Sequence, residues 1–177
     1  MADVSKPLRP SQLLLLGFIA VWLAIQVLVP LRHLLYPGNV SWTEEGHRFA
    51  WQMKLRDKDA EATFVVRDPA SGREWRVEPR RYLARHQVGE MESRPDMILQ
   101  FAHHLARVWA EERKVAGVEV RARVCASLNG RKAALLIDPE RDLARVERSL
   151  RHADWILPLK EPFERPEPRT GRHDSSC

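Results

Sequence analysis

The residues best suited to chemistry fall together at Glu44-Glu45-Gly46-His47, where two carboxylates lie close to an imidazole. General acid and base catalysis is chemically conceivable with this set. A solvated turn explains the same composition and is the favoured interpretation. The histidines of the chain do not fall at metal-ligand spacing, so no metal site is predicted.

Other catalytic signatures are missing from the sequence. It has no glycine-rich phosphate loop, no Gly-x-Ser-x-Gly motif and no His-Glu-x-x-His motif. Cys125 lies in a strand-like run without a histidine beside it, and Cys177 is the last residue. A buried or sheet-face thiol is therefore predicted for Cys125. A disulfide scaffold is not predicted, and cysteine usage does not indicate the compartment.

Length and charge limit the classes of function. A chain of 177 residues accommodates one anchor and one domain. The net charge of +5 comes from 29 basic residues interleaved with 24 acidic ones, without a basic arm, a zinc finger or an RNA-binding motif. No nucleic-acid partner is predicted, and an arginine-rich solvated surface explains the charge.

A run of 19 uncharged residues, Leu13 to Leu31, is long enough to cross a bilayer as a helix. It is longer than the apolar part of a signal peptide, and no small-x-small cleavage site follows it. We therefore predict an uncleaved membrane helix over residues 12–31. Both flanks are basic, so charge does not fix its orientation. Gln26 in mid-span favours contact with other membrane helices.

Beyond the membrane the patterns predict an α+β fold: an antiparallel β-rich, sandwich-like domain with one main helix. The main helix begins near Asp96 and carries one apolar face. Asn129-Gly130 is a strong hairpin signal. Alternation of apolar and polar residues predicts strands at 49–55, 62–67, 74–77, 118–128 and 131–137. A short helix is predicted within 142–152.

The predicted domain organisation has four parts. Residues 1–11 form an N-terminal flank, 12–31 the membrane helix and 32–159 the extramembrane domain. Residues 160–177 form a tail rich in proline and charge, which has little to bury and is predicted to be disordered.

The order of several short motifs resembles one family. Pro30 ends the membrane helix, and a histidine, a glycine turn, Trp42-Thr43 and a strand with tryptophan and methionine follow. This pattern resembles the segment leaving the last membrane helix of the vitamin K-dependent γ-glutamyl carboxylases, whose bacterial members carry the horizontally transferred transmembrane domain. The resemblance covers residues 12 to 159 and continues through Asp96-Met97, Ser127-Leu128-Asn129, Asp138-Pro139 and Trp155-Ile156-Leu157-Pro158-Leu159.

The resemblance implies a chemistry that this chain does not carry alone. The family uses reduced vitamin K (the hydroquinone), with O2 and CO2 as co-substrates, to make a strong base that removes the γ-proton of a peptide-bound glutamate. The carbanion then adds CO2. The family's activating base is a lysine in its membrane bundle, and the predicted helix here has no lysine and no acid. The chain is thus expected to bind no cofactor alone, and to serve substrate binding and assembly.

The resemblance also implies roles for individual residues. His33 matches a family histidine beside the membrane and is the candidate catalytic residue; a solvated interfacial histidine is the alternative. Trp51 and Trp42 are the candidate substrate-binding residues. The alternation around Trp51 equally suits core packing, and a structural corner is the favoured role for Trp42. Arg56 replaces a histidine of the animal members, which weakens the expectation that the same glutamyl peptides are bound.

Three hypotheses follow from these patterns. In the first, the chain is the C-terminal extramembrane portion of a carboxylase-like protein, as a split subunit or a truncated gene product. It then needs a multi-helix membrane partner or a missing N-terminal region, and a glutamyl peptide is its substrate. In the second, it is a stand-alone, single-pass, membrane-anchored module that binds a peptide or protein. In the third, it is a non-functional fragment. In each case the bilayer is a partner, and the soluble domain is predicted to be extracytoplasmic.

Overall fold

The structure, a computed structural model, describes residues 9–50, 56–115, 117–160 and 177. Short 3₁₀ turns lie at Arg32–Leu35, Pro79–Arg81 and Leu143–Arg145. The helices are α1 (Pro10–Leu31), α2 (Val40–Thr43), α3 (Arg85–Glu92) and α4 (Pro95–Glu112), and the strands are β1 (Lys58–Arg67), β2 (Glu74–Val77), β3 (Glu119–Leu128) and β4 (Ala134–Leu135).

Helix α1 is the one described helix that is long and apolar enough to cross a membrane, judged by length and composition. It starts two residues before the predicted span because Pro10 suits the first helical position. Its large apolar side chains from Leu13 to Leu28 are between 42% and 76% exposed, so this helix needs lipid or protein around it.

The sheet has four antiparallel strands in the order β2-β1-β3-β4. The ten residues of β1 all pair with β3, from Lys58 opposite Leu128 to Arg67 opposite Glu119. The hairpin after β3 turns at Asn129-Gly130, where both residues have positive φ, as a type I′ turn requires. A bridge between Ile137 and Ile156 lies just beyond β4.

Helix α4 covers one face of the sheet and forms the core with it. Phe64 of β1 meets Phe101 of α4 edge to face, with ring centroids 4.9 Å apart. Trp75 of β2 packs against Trp109 of the same helix at 4.7 Å. The alternating burial along β1 and β3 matches this one-sided cover.

The α+β class is confirmed, and the details differ from expectation in several places. The layer that faces the sheet consists of helices rather than a second sheet, since the apolar face of α4 already covers the strands. Phe49 is 76% exposed with φ of 66°, so the predicted strand at 49–55 does not begin there; its remainder, 51–55, lies outside the described residues. Instead of a helix over 142–152, the chain makes a single 3₁₀ turn at Leu143–Arg145.

Cys125 is not a free thiol, because it forms a disulfide with Cys177. The Cα atoms lie 5.8 Å apart, across 52 residues of sequence. The guanidinium group of Arg123, two residues along the same face of β3, donates to the backbone oxygen of Cys177. The sequence prediction was wrong here, because nothing in a proline-rich charged tail signals that its end returns to the sheet. The predicted disorder of 160–177 concerns residues that, apart from 160 and 177, lie outside the described part.

Candidate functional site

The segment that leaves the membrane helix, residues 32–48, is called the exit segment below. After buried Pro30 the helix tightens into the 3₁₀ turn at Arg32–Leu35. The side-chain oxygen of Asn39 then accepts the N–H of Ser41 at 2.9 Å and caps α2. Helix α2 ends at Thr43, and Glu44 after it takes the left-handed conformation with φ of 61°.

The exit segment folds back on itself at His33. The Nδ1 atom of His33 lies 2.8 Å from the carbonyl oxygen of Pro30, so Nδ1 carries the proton and Nε2 is left to accept one. Gly46 packs directly against the same residue. A Cβ added at Gly46 would lie 2.7 Å from His33 Cα and 2.9 Å from the ring of Tyr36. Only glycine allows this approach.

Trp42 lies completely inside the domain, with 0% of its surface exposed. Its Nε1 donates to the carbonyl oxygen of Leu157 at 2.7 Å and so joins the exit segment to the end of the domain. The ammonium group of Lys58 lies 5.4 Å from the centre of the ring and donates to the Trp42 carbonyl at 2.7 Å. A ring enclosed in this way can influence a substrate only through the residues around it.

A charged cluster lies beneath the exit segment. Glu44 forms an ion pair with Arg56, and its carboxylate lies 3.7 Å from Nζ of Lys58. The side chains of Glu44 and Lys58 are only 9% and 2% exposed. Burial lowers the pKa of Lys58 from 10.5 to about 8, against the attraction of Glu44.

The neighbouring carboxylate of Glu45 is buried as well, with 8% of its side chain exposed. It accepts the backbone N–H of Ala153 at 2.7 Å and lies 2.9 Å from Nδ1 of His152. The hydroxyl of Tyr36 donates to the carbonyl of Leu150. The interpretation of Glu44-Glu45-Gly46-His47 as a solvated turn was therefore wrong, because the side chains of both glutamates are buried and paired.

His47 differs from the two carboxylates of this motif in how its ring atoms are satisfied. Its Nδ1 is buried, with no hydrogen-bond partner among the described residues. Burial first, and then the charge of Arg56, lower the pKa of His47, so the imidazole is neutral near pH 7.

A cavity of about 790 Å³, called the exit cavity below, is lined by Tyr36 and by the motif Glu44-Glu45-Gly46-His47, among other residues. Its walls are the exit segment, the start of α4 and residues 145–156. Arg148 and Arg151 are exposed on the last of these walls, and neither guanidinium group has an ion-pair partner among the described residues. The cavity thus combines buried carboxylates with two exposed guanidinium groups that form no ion pair with a described residue. Its lining includes Arg32, so it begins at the end of α1.

Comparison with known proteins identifies the domain. A family model described as the vitamin K-dependent gamma-carboxylase lumenal domain matches residues 11–162. The chain belongs to this family. No curated protein and no solved structure matches the chain. The match spans α1, the exit segment and the whole sheet, so the exit cavity is built entirely within the lumenal domain.

The lumenal domain brings together some of the sequence-predicted residues. His33 packs on Gly46, which lines the exit cavity, whereas Trp42 lies buried beneath it. Trp51 lies outside the described residues. Arg56 lies in the cavity lining as the ion-pair partner of Glu44. Within the described part of the chain, no group of three or more histidine, cysteine or acidic residues is placed to hold a metal ion.

Sequence reasoning missed the contribution of residues 145–156 to the site. The pairing of Glu45 with Ala153 spans more than a hundred residues, and no local pattern encodes it. The local sequence offered only two adjacent acids beside a glycine and a histidine, a composition that suits a solvated turn equally well.

Proposed function

We propose that the chain is the membrane-anchored lumenal portion of a vitamin K-dependent carboxylase-like protein, and that the exit cavity binds a glutamyl peptide. The supporting observation is the position of this cavity beside the end of α1. One of its walls carries Arg148 and Arg151, which are exposed and form no ion pair with a described residue. Glutamyl carboxylates suit guanidinium groups because the two make charge-assisted, often bidentate, hydrogen bonds.

Catalysis, in this proposal, needs further membrane helices, from a partner polypeptide or from a preceding part of the same protein. The described side chains do not fit a hydroquinone: α1 is a lone apolar helix with its side chains outward, and it carries no basic or acidic group. We therefore derive no chemical step through reduced vitamin K, O2 or CO2 on this chain. His33 is proposed as this domain's contribution to the completed active site, with its Nε2 atom as the proton acceptor.

Binding is tested with the full chain in detergent micelles and a fluorescent peptide that contains four glutamates. Arg148→Gln with Arg151→Gln is expected to weaken binding about tenfold, since hydrogen bonds to charged groups contribute about 1.5–3 kcal/mol each and these are partly screened. The control, Arg85→Gln with Arg107→Gln, removes the same charge from exposed sites outside the cavity. Equal losses in the two double variants would contradict the assignment.

The partner is tested by affinity purification of the chain from its native membranes in mild detergent. A multi-helix membrane protein with an intramembrane lysine is the expected companion. Isolation of soluble proteins alone, or of nothing, would instead favour the stand-alone binding module. In the reconstituted assembly, His33→Ala is expected to abolish carboxylation while leaving the domain folded, with at most the loss of one hydrogen bond to Pro30. Undiminished turnover would remove His33 from the active site.

A further inference from the structure

Strand β1 has one edge that is only partly paired. All ten of its residues pair with β3, but only its last four, Phe64 to Arg67, pair with β2. Strand β2 ends at Val77 because Pro79 has no N–H to donate and begins a 3₁₀ turn. Within the described residues, the stretch 58–63 therefore has no strand beside it on the β2 side.

The backbone groups of Ala60 and Ala62 point toward this open edge. The N–H of Ala62 donates to the carboxylate of Glu92 at 3.3 Å, so it is directed away from β3. Backbone groups of an antiparallel strand alternate in direction with a period of two, so Ala60 points the same way. Consistently, Val124, opposite Ala62 on β3, turns its carbonyl outward to the N–H of Leu136.

Glu92 occupies the position where the carbonyl of a neighbouring strand would lie. Its bond to Ala62 is long for an N–H donor, whose usual distance is about 2.9–3.0 Å. The carboxylate is also half-buried, and this burial raises the pKa of Glu92. It is a weak substitute for a strand, and an incoming backbone carbonyl would displace it readily.

A cavity of about 810 Å³ follows this edge and is called the edge groove. It is lined by Asp59–Thr63 of β1, by Arg76–Arg81, and by Val88 and Glu92 of α3. It shares no lining residue with the exit cavity. The small side chains of Ala60 and Ala62 lie on the helix side of β1. Asp59 and Glu61 are exposed on the other side.

We propose that the edge groove binds an extended peptide segment, which adds to β1 as an antiparallel strand. Apolar side chains of the segment lie opposite Ala60 and Ala62, and a basic side chain lies opposite the exposed carboxylate of Asp59. Opposite charges on directly facing residues stabilise strand pairs, and small residues leave room for larger partners. Among the arginines of the groove, Arg76 of β2 donates to Oγ1 of Thr63 at 3.2 Å, four residues along β1 from Asp59. This docking site stands independently of glutamyl binding in the exit cavity.

The probe is an acetylated, amidated octapeptide of alternating valine and lysine, with a fluorophore, added to the full chain in detergent micelles. Saturable binding is expected by fluorescence anisotropy. Glu92→Ala removes the competing acceptor and is expected to tighten binding about threefold to tenfold. Asp59→Lys places a like charge opposite a lysine of the octapeptide and is expected to weaken binding at least about threefold.

Two controls separate strand addition from charge attraction. Glu111→Lys makes the same change of net charge at an exposed position near the end of α4 and is expected to leave affinity unchanged. The second control uses two valine–lysine octapeptides, N-methylated on the odd or on the even residues. Both keep their charge, but one of them loses the N–H groups that would donate to β1. That peptide is expected not to bind. Absence of binding by the unmodified octapeptide would overturn the proposal. Equal weakening by Asp59→Lys and Glu111→Lys, or no gain from Glu92→Ala, would overturn it as well.

Discussion

Substitution of Gly46 by alanine tests the packing of the exit segment most directly. Gly46 has φ of +67°, and an added Cβ would meet His33 Cα at 2.7 Å, a backbone atom that cannot rotate away. Gly72 provides a matched control. Its φ of +70° is nearly the same, but a Cβ there meets nothing within 4 Å. The two variants therefore share the backbone strain and differ in the collision.

The magnitudes follow from these two contributions. A left-handed conformation costs a residue with a Cβ about 1–2 kcal/mol, so Gly72→Ala is expected to lower the free energy of unfolding by about that amount. Forcing an extra carbon into a packed site costs about 1–3 kcal/mol more. Gly46→Ala is thus expected to destabilise the domain by about 2–5 kcal/mol in total.

Urea unfolding of the full chain in detergent, followed by tryptophan fluorescence, measures both variants against the parent chain. The decisive quantity is the difference between the two losses in free energy of unfolding. A difference below about 0.5 kcal/mol would refute the close approach of Gly46 to His33. It would also remove the structural basis for placing His33 against the exit cavity.

Three further predictions concern other contacts. Since the folded-state pKa of Lys58 is about 8 and its unfolded value is 10.5, the unfolded chain binds more protons between these pH values. The stability of the parent chain relative to Lys58→Met should therefore rise from pH 8 to pH 10.5, by at most about 3 kcal/mol in urea unfolding; a flat difference would exclude the shifted pKa. Trp42→Phe leaves the carbonyl of Leu157 without its donor and should cost about 1–3 kcal/mol in the same assay, whereas an unchanged midpoint would exclude that bond. Peptide mapping without reductant should recover Cys125 linked to Cys177, and Cys177→Ser should cost about 2–4 kcal/mol; a free thiol at either position would contradict the bridge.

Local signals predicted most of the secondary structure. The alternation from Val118 to Leu128 and the Asn129-Gly130 turn identify β3 and its hairpin, because both patterns depend only on neighbouring residues. The apolar run identifies α1 for the same reason. Helix α3 was not predicted, since its residues are mostly polar and it is held by packing of Val88 and Met91.

The candidate site was less predictable because long-range contacts build it. Glu45 is buried by the loop around Ala153, and Lys58 is buried by Trp42 and Glu44. A sequence pattern reports exposure only where one element covers a regular face. At the exit segment the covering residues come from the far end of the domain, so the sequence alone predicted a solvent-exposed turn.

The placement of the exit cavity at the end of α1 changes how a ligand would find it. With α1 in a bilayer, Arg32 follows the last helical residue and lies at the level of the lipid headgroups. A peptide that adheres weakly to the membrane surface then searches two dimensions instead of three. Its local concentration at the cavity rises in the manner of a tethered ligand, so modest contacts are sufficient for capture.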